Sequence, residues 1–131
     1  MSKIINQTIT DNYALYHGDC VHALSGLPDN SIHLAIESPP FVGMYVYSNS
    51  AFDMGNVTSI TQMIEQYRFA ARETLRVLVP GRSSFIHLTQ AVAQKQRDGY
   101  MGLRDFRGEI IKMMIEEGFN YYGEITIDKD P

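Results

Sequence analysis

The chain has one cysteine, Cys20, among 131 residues. A single thiol cannot close an internal disulfide, and that usage fits a reducing compartment. Long apolar runs are lacking as well. None approaches the ~20 residues needed to span a bilayer, and the opening Met1-Ser2-Lys3-Ile4-Ile5-Asn6 is too polar for a signal peptide. Together these absences predict a soluble, cytoplasmic protein with no membrane role. Positive charge is also in short supply, with a net charge of -4 at pH 7. That excludes indiscriminate nucleic-acid binding by the whole surface and leaves room only for a local basic strip. His17, His22, His33 and His87 show no metal-ligand spacing, so no metal site is expected. Internal repeats and low-complexity tracts are absent.

What remains is an ordinary globular composition, 44% hydrophobic and 20% charged. The length suits a single domain, residues 1–131, with a modest core. Residues 3–10 read as an edge strand closed by Asp11-Asn12, and Tyr13 to His17 as a second strand. Val21 to Leu27 reads as a short helix, followed by a strand that ends at Ser38. Strand, helix and strand in so short a span predict a βαβ unit with parallel strands. Residues 42–58 read as a loop. Ile60, Met63, Ile64, Tyr67, Ala71, Leu75 and Leu78 are helically spaced, with a stop expected at Pro80-Gly81. Ser84 to Leu88 is a third strand. Residues 89–106 are polar and irregular. Phe106, Ile110, Ile111, Met114 and Ile115 mark a second amphipathic helix ended by Gly118, and Tyr121 to Asp128 alternates as a last strand. The order predicts an α/β fold: a doubly wound, Rossmann-like, mostly parallel sheet flanked by helices.

One stretch organises the rest, Ile32-His33-Leu34-Ala35-Ile36-Glu37-Ser38-Pro39-Pro40-Phe41. The apolar run is a buried strand, and two prolines end it because they cannot continue a ladder. Each proline fixes its own φ, and Pro40 also keeps Pro39 out of the helical region. The tip is therefore stiff and extended, with carbonyls free to accept. Ser38 adds a hydroxyl and Phe41 a flat apolar face. Ligands of open α/β sheets bind at such carboxyl ends of strands. A planar molecule carrying an amino group suits this tip.

The motifs in order are Gly18-Asp19-Cys20, Leu27-Pro28-Asp29-Asn30-Ser31 and Ser38-Pro39-Pro40-Phe41. Further on come Asp53-Met54-Gly55-Asn56, Leu75-Arg76-Val77-Leu78 before Pro80-Gly81-Arg82, Arg97-Asp98-Gly99, Gly102-Leu103-Arg104-Asp105-Phe106 and Glu117-Gly118-Phe119. From about Tyr13 to Pro131 this set resembles the DNA amino-methyltransferases. The likeness is to the cytosine-N4/adenine-N6 family in its permuted form, with the Ser-Pro-Pro-Phe motif near the N-terminus, and to a phage or prophage branch of it. The resemblance implies an S-adenosylmethionine-dependent enzyme that methylates DNA, as in restriction-modification. The family's Phe-x-Gly-x-Gly cofactor loop is not in these residues. In permuted relatives it lies toward the C-terminus, so the expectation is an N-terminal, catalytic-motif half. Its partner would be the missing C-terminal half or a second copy of the chain.

An exocyclic amino group is a poor nucleophile because its lone pair is delocalised into the ring. Acceptors near its protons draw the nitrogen toward tetrahedral geometry. The resemblance gives that catalytic part to Ser38, Pro39, Pro40 and Phe41, with Phe41 stacking on a base flipped out of the duplex. It gives cofactor contacts to Asp19, Cys20 and Ser38, and no metal. Tyr45, Tyr47, Lys95, Arg97, Arg104 and Arg107 are the candidate DNA contacts. Ser38 in place of Asp leans toward cytosine. Carbon-5 methylation is rejected, because the one cysteine follows Asp19 and not a proline. The competing readings are an inactive remnant that serves as a binding or structural module, and an RNA or protein amino-methyltransferase.

Overall fold

A computed structural model describes residues 4–42, 44–50 and 53–128 of the chain. Strands β1 (Ile4–Ile9) and β2 (Ala14–Gly18) form an antiparallel hairpin. Its turn is closed by the Thr10 N–H donating to the Tyr13 carbonyl at 2.9 Å. Helix α1 (Cys20–Ser25) leads to β3 (Ile32–Glu37), and a 3-10 turn at Met54–Asn56 leads to α2 (Ile60–Val77). Strand β4 (Leu78–Ile86) follows without a break. Then come β5 (Ala91–Ala93), the single-turn helix α3 (Lys95–Asp98), β6 (Gly102–Arg104) and α4 (Phe106–Glu116).

The α/β class and the parallel pairing of strands across a helix are as the pattern predicts, but the partners differ. β3 pairs in parallel with β4 across α2, while among the described residues β2 pairs only with β1. The expected β2–α1–β3 parallel unit is therefore not closed by direct pairing. Residues 89–106, read as irregular, contain the β5–β6 antiparallel hairpin. Tyr121 to Asp128 has no strand pairing among the described residues. Alternation alone does not make a strand without a neighbouring edge.

The stop at Pro80-Gly81 is also corrected. Helix α2 ends at Val77, and Pro80 and Gly81 lie inside β4 as a bulge. Ile32 opposes Leu78 while Leu34 opposes Ser83, so β4 carries extra residues there. Proline lacks a ladder N–H and is tolerated at bulges, and Gly81 takes the left-handed φ of 81° that a side chain would resist.

The core lies between α2 and α4. Met63, Tyr67, Ala70 and Ala71 of α2 pack with Phe106, Ile110 and Met113 of α4, and with Ala91 of β5. The α2 stripe runs through Ala70, Thr74 and Val77 where Leu75 is expected, and Leu75 is at the surface. On α4, Met113 takes the inward place expected of Ile115. Arg68 and Arg72 of α2 pair with Glu117 beyond α4, both at 2.7 Å, and Arg68 also pairs with Glu116.

Arg76 sets where β3 begins. Its guanidinium donates to the Leu24 and Leu27 carbonyls at 2.9 Å and pairs with Asp29 and Glu73. It thus ties the end of α1 and the turn after it to α2, adding a second donor to the Leu24 carbonyl that the Leu27 N–H already reaches. The Asn30 and Ser31 N–H groups donate to the Arg76 and Val77 carbonyls at 3.1 and 2.8 Å. With the starts of β3 and β4 tied together, their far ends arrive side by side.

Candidate active site at the strand ends

Glu37 opposes Ile86 in the parallel ladder. The next residues, Ser38 and His87, are therefore neighbours at the rim. The His87 N–H donates to the Glu37 carbonyl at 2.8 Å, extending the ladder by one bond. Ser38 Oγ lies 3.3 Å from His87 Nδ1. The Phe41 ring meets the His87 ring edge-on, with centroids 6.1 Å apart and planes at 62°. Ser38 is exposed, Pro39 is buried, and Pro40 and Phe41 are half-buried. Val42 joins the core. The proline corner is thus anchored from below by Pro39 and Val42 and presents the Ser38 hydroxyl outward.

Beneath the tip, Glu37 accepts from the Tyr67 hydroxyl at 2.8 Å and, more weakly, from Ser84 Oγ at 3.4 Å. Burial first, then the Glu37 charge, holds the Tyr67 hydroxyl far above the usual phenol range. Tyr67 reads in the sequence as plain core. Its polar end in fact fixes the last residue of β3 to α2.

Asp19 caps α1, accepting from the His22 N–H at 2.8 Å. Cys20 is exposed as a residue, yet its sulfur is set in among neighbouring atoms. Burial, then the charge of Asp19, raises its thiol above the usual range, and Glu37 adds a smaller push the same way. Asp19, Cys20 and Glu37 therefore share one electrostatic neighbourhood. The ends of β2 and β3 thus lie within electrostatic reach of one another although the two strands do not pair.

The loop beyond Phe41 is not structureless. Ser48 Oγ donates to Asp53 at 2.8 Å, and Asp53 accepts from the Gly55 N–H at 2.8 Å. The Asn56 amide donates to the Ser48 and Ser50 carbonyls at 2.9 Å. The Ser48 hydroxyl, then the Gly55 N–H, lowers the Asp53 pKa. A Cβ on Gly55 would come within 2.8 Å of the Tyr47 ring. On this knot Tyr45 and Tyr47 stand exposed, ring centroids 6.1 Å apart.

The basic strip is largely neutralised from within. Arg97 donates to Asp98 and to the Val92 carbonyl. Arg104 is turned inward, 3.8 Å from Asp98, with its Nε and Nη2 buried and unpartnered. Arg107 pairs with Glu124. Lys95 is exposed and has no ion pair among the described residues. A cleft of about 560 Å³ lies between α2 and the start of α4, lined by Ile60, Thr61, Glu65, Arg68 and Asp105. No tip residue lines it. Among the described residues no three His, Cys, Asp or Glu side chains could hold a metal ion, and no helix is long and apolar enough to cross a membrane.

Three residues of the site escape the sequence reading: His87, Glu37 and Tyr67. A signal for the first was present. Two short apolar runs each end in a polar residue, Ser38 and His87, and parallel neighbours of equal reach bring such residues together.

No family model matches the chain. Among curated proteins it is 29% identical over 85 residues to the Type II methyltransferase M.SfiI of Streptomyces fimbriatus, covering 65% of this chain and 20% of that protein. Among solved structures it is similar to a protein of Thermus thermophilus provisionally assigned as a DNA modification methylase. The selenomethionine form superposes with a TM-score of 0.62 at 21% identity, over 81% of this chain and 38% of that one. The form complexed with S-adenosyl-L-methionine gives 0.60 at 22%, over 79% and 40%. The chain resembles DNA methyltransferases. Its fold is part of their doubly wound, Rossmann-like architecture, and it spans a fifth to two-fifths of the length of these relatives.

Proposed function

We propose that the chain is the N-terminal, catalytic-motif half of a DNA amino-methyltransferase. It would act on the exocyclic amino group of a flipped cytosine, or of adenine, with S-adenosylmethionine as methyl donor. The observation that carries this reading is the Ser-Pro-Pro-Phe corner at the rim of two parallel strands, Ser38 outward and Pro39 anchored. In such a site Ser38 Oγ and the Pro39 carbonyl accept from the amino group. Phe41 offers a face to the base, and the nitrogen lone pair is freed for attack. Catalysis is by position and electrostatics.

The residues fit the adenine end of the cofactor. One Asp19 oxygen is engaged by His22, which leaves the other for an amino donor. Asp19 and Glu37 together make the rim negative, which suits a sulfonium cation. When bound, the cofactor supplies an electrophilic methyl group. The amino-acid end of that molecule has no Gly-rich loop to rest on within these 131 residues. On the DNA side, the exposed Tyr45 and Tyr47 would stack on nucleotides and the exposed Lys95 would meet a phosphate. Arg97, Arg104 and Arg107 would first have to leave internal partners. The rest of the sheet, from a C-terminal half or a second copy, would cover Leu34, Ile36 and Phe85, which are 50%, 73% and 50% exposed.

The test supplies a C-terminal half in trans and measures methyl incorporation into DNA. Ser38→Ala should cut turnover about 10²-fold or more, on the scale of losing one preorganised polar contact to the reacting group, with DNA affinity almost unchanged. Equal loss of turnover and affinity would remove the assigned role. Absence of calorimetric heat with millimolar S-adenosylmethionine, in both chain and assembly, would leave a structural module as the better reading.

A further inference from the structure

We propose that His87 is a positioning residue that makes Ser38 an obligate hydrogen-bond acceptor, so that the tip selects ligands presenting an amino donor. The proposal rests on the amino-methyltransferase reading and deepens it. A serine hydroxyl alone does not discriminate, since it donates as readily as it accepts. Facing outward unaided, Ser38 would serve a keto oxygen as well as an amino group. Cytosine differs from thymine, and adenine from guanine, at just such a position.

His87 removes the ambiguity if its Nδ1 takes the Ser38 hydrogen. Nδ1 lies 3.3 Å from Ser38 Oγ, and Ser38 Oγ has no second hydrogen-bond partner among the described residues. The imidazole is held in place. Its backbone N–H is tied to the Glu37 carbonyl at 2.8 Å, and Phe41 packs edge-on against the ring. His87 is exposed, so a hydrogen on Nε2 can meet water while Nδ1 stays bare. That is also the tautomer a free imidazole side chain prefers in water. With its hydrogen turned back, Ser38 presents only lone pairs. The Pro39 carbonyl can only accept. Two fixed acceptors match the two hydrogens of one amino group and meet a keto oxygen with repulsion.

Two measurements test this. In the isolated chain, long-range 1H–15N spectra should show His87 with hydrogen on Nε2 and a bare Nδ1. The Nδ1 resonance should move in Ser38→Ala. Hydrogen on Nδ1, or no response to Ser38→Ala, overturns the proposal. In the complemented assembly, His87→Asn places an amide oxygen near the position of Nδ1, whereas His87→Gln reaches toward that of Nε2. Turnover should fall about 10-fold in His87→Gln and His87→Phe, the size of one lost hydrogen bond of about 1.4 kcal/mol. His87→Asn should recover to within about 3-fold, with KM for DNA steady throughout. Equal activity in all three variants sinks the His87 role and leaves the amino-methyltransferase reading intact. Full activity in Ser38→Ala sinks the reading itself, while the spectra still decide the tautomer.

Discussion

The α2–α4 pair and the β3–β4 pair face the same problem, an apolar surface that must leave water, and resolve it to different degrees. Between the helices Met63 and Phe106 are fully buried, and Arg68 and Arg72 of α2 clasp Glu117 just beyond α4. Of the β3–β4 sheet, only the side bearing Glu37 and Ile86 meets α2 and the core. The opposite side, with Leu34, Ile36 and Phe85, is open to solvent. Parallel sheets are ordinarily covered on both faces. The difference separates a part that holds the chain together from a sheet face left open to solvent.

The strongest way to break this contrast is to attack the helical side. Phe106 is fully buried among α2 and α4 residues, and Phe106→Ala should cost about 3–5 kcal/mol through lost transfer and the cavity left behind. Urea denaturation with a wild-type slope and a much lower midpoint would show it. A cost below about 1 kcal/mol would mean that the helix pair is not the anchor.

Tyr67 joins the two halves and should rank second. Tyr67→Phe keeps the ring and leaves Glu37 without its closest donor, for a cost of about 1–3 kcal/mol. The pH dependence has a definite sign. The folded protein keeps the Tyr67 proton where the unfolded chain has lost it, because burial and Glu37 raise its pKa. The stability from this group is complete below about pH 10 and falls as pH rises above that value. Thermal melts should show an alkaline decline in the wild type that is shallower in Tyr67→Phe. Identical alkaline limbs would separate Tyr67 from the tip.

Much of this contrast is legible in the residues. Local rules suffice for the proline corner that ends β3 and for most of both helical stripes, Leu75 and Ile115 excepted, since each depends on neighbours three or four positions away. Strand partnership is not local. Nothing near Ala14–Gly18 says that the strand will turn back onto Ile4–Ile9 and not lie beside Ile32–Glu37. Pro80-Gly81 carries a stop signal, but Val77 had already ended the helix, so the pair became a bulge. The pairing of the basic strip is hidden for a related reason. Arg97, Arg104 and Arg107 look available in sequence, and each meets an acidic side chain, Asp98 or Glu124. Charge is written in the chain, while its neutralisation is set by the fold. The Ser38–His87 contact belongs to the same class, since it follows from a ladder joining residues 49 positions apart.

The smallest effect should come from the open face, and it separates the two halves most cleanly. Ile36 is 73% exposed, so Ile36→Ser removes little buried area and should change the stability of the isolated chain by about 0.5 kcal/mol or less. The same substitution sits at the centre of the surface that a complementing half would cover. There a serine would replace apolar contact with a hydroxyl that must find a partner. Sedimentation of the chain mixed with a C-terminal half should therefore show association in the wild type and loss of it in Ile36→Ser, while urea midpoints of the two isolated chains coincide. Unchanged association would mean that the open face is not where the rest of the sheet docks. A large drop in isolated stability would mean that Leu34, Ile36 and Phe85 already do for this chain what Met63 and Phe106 do.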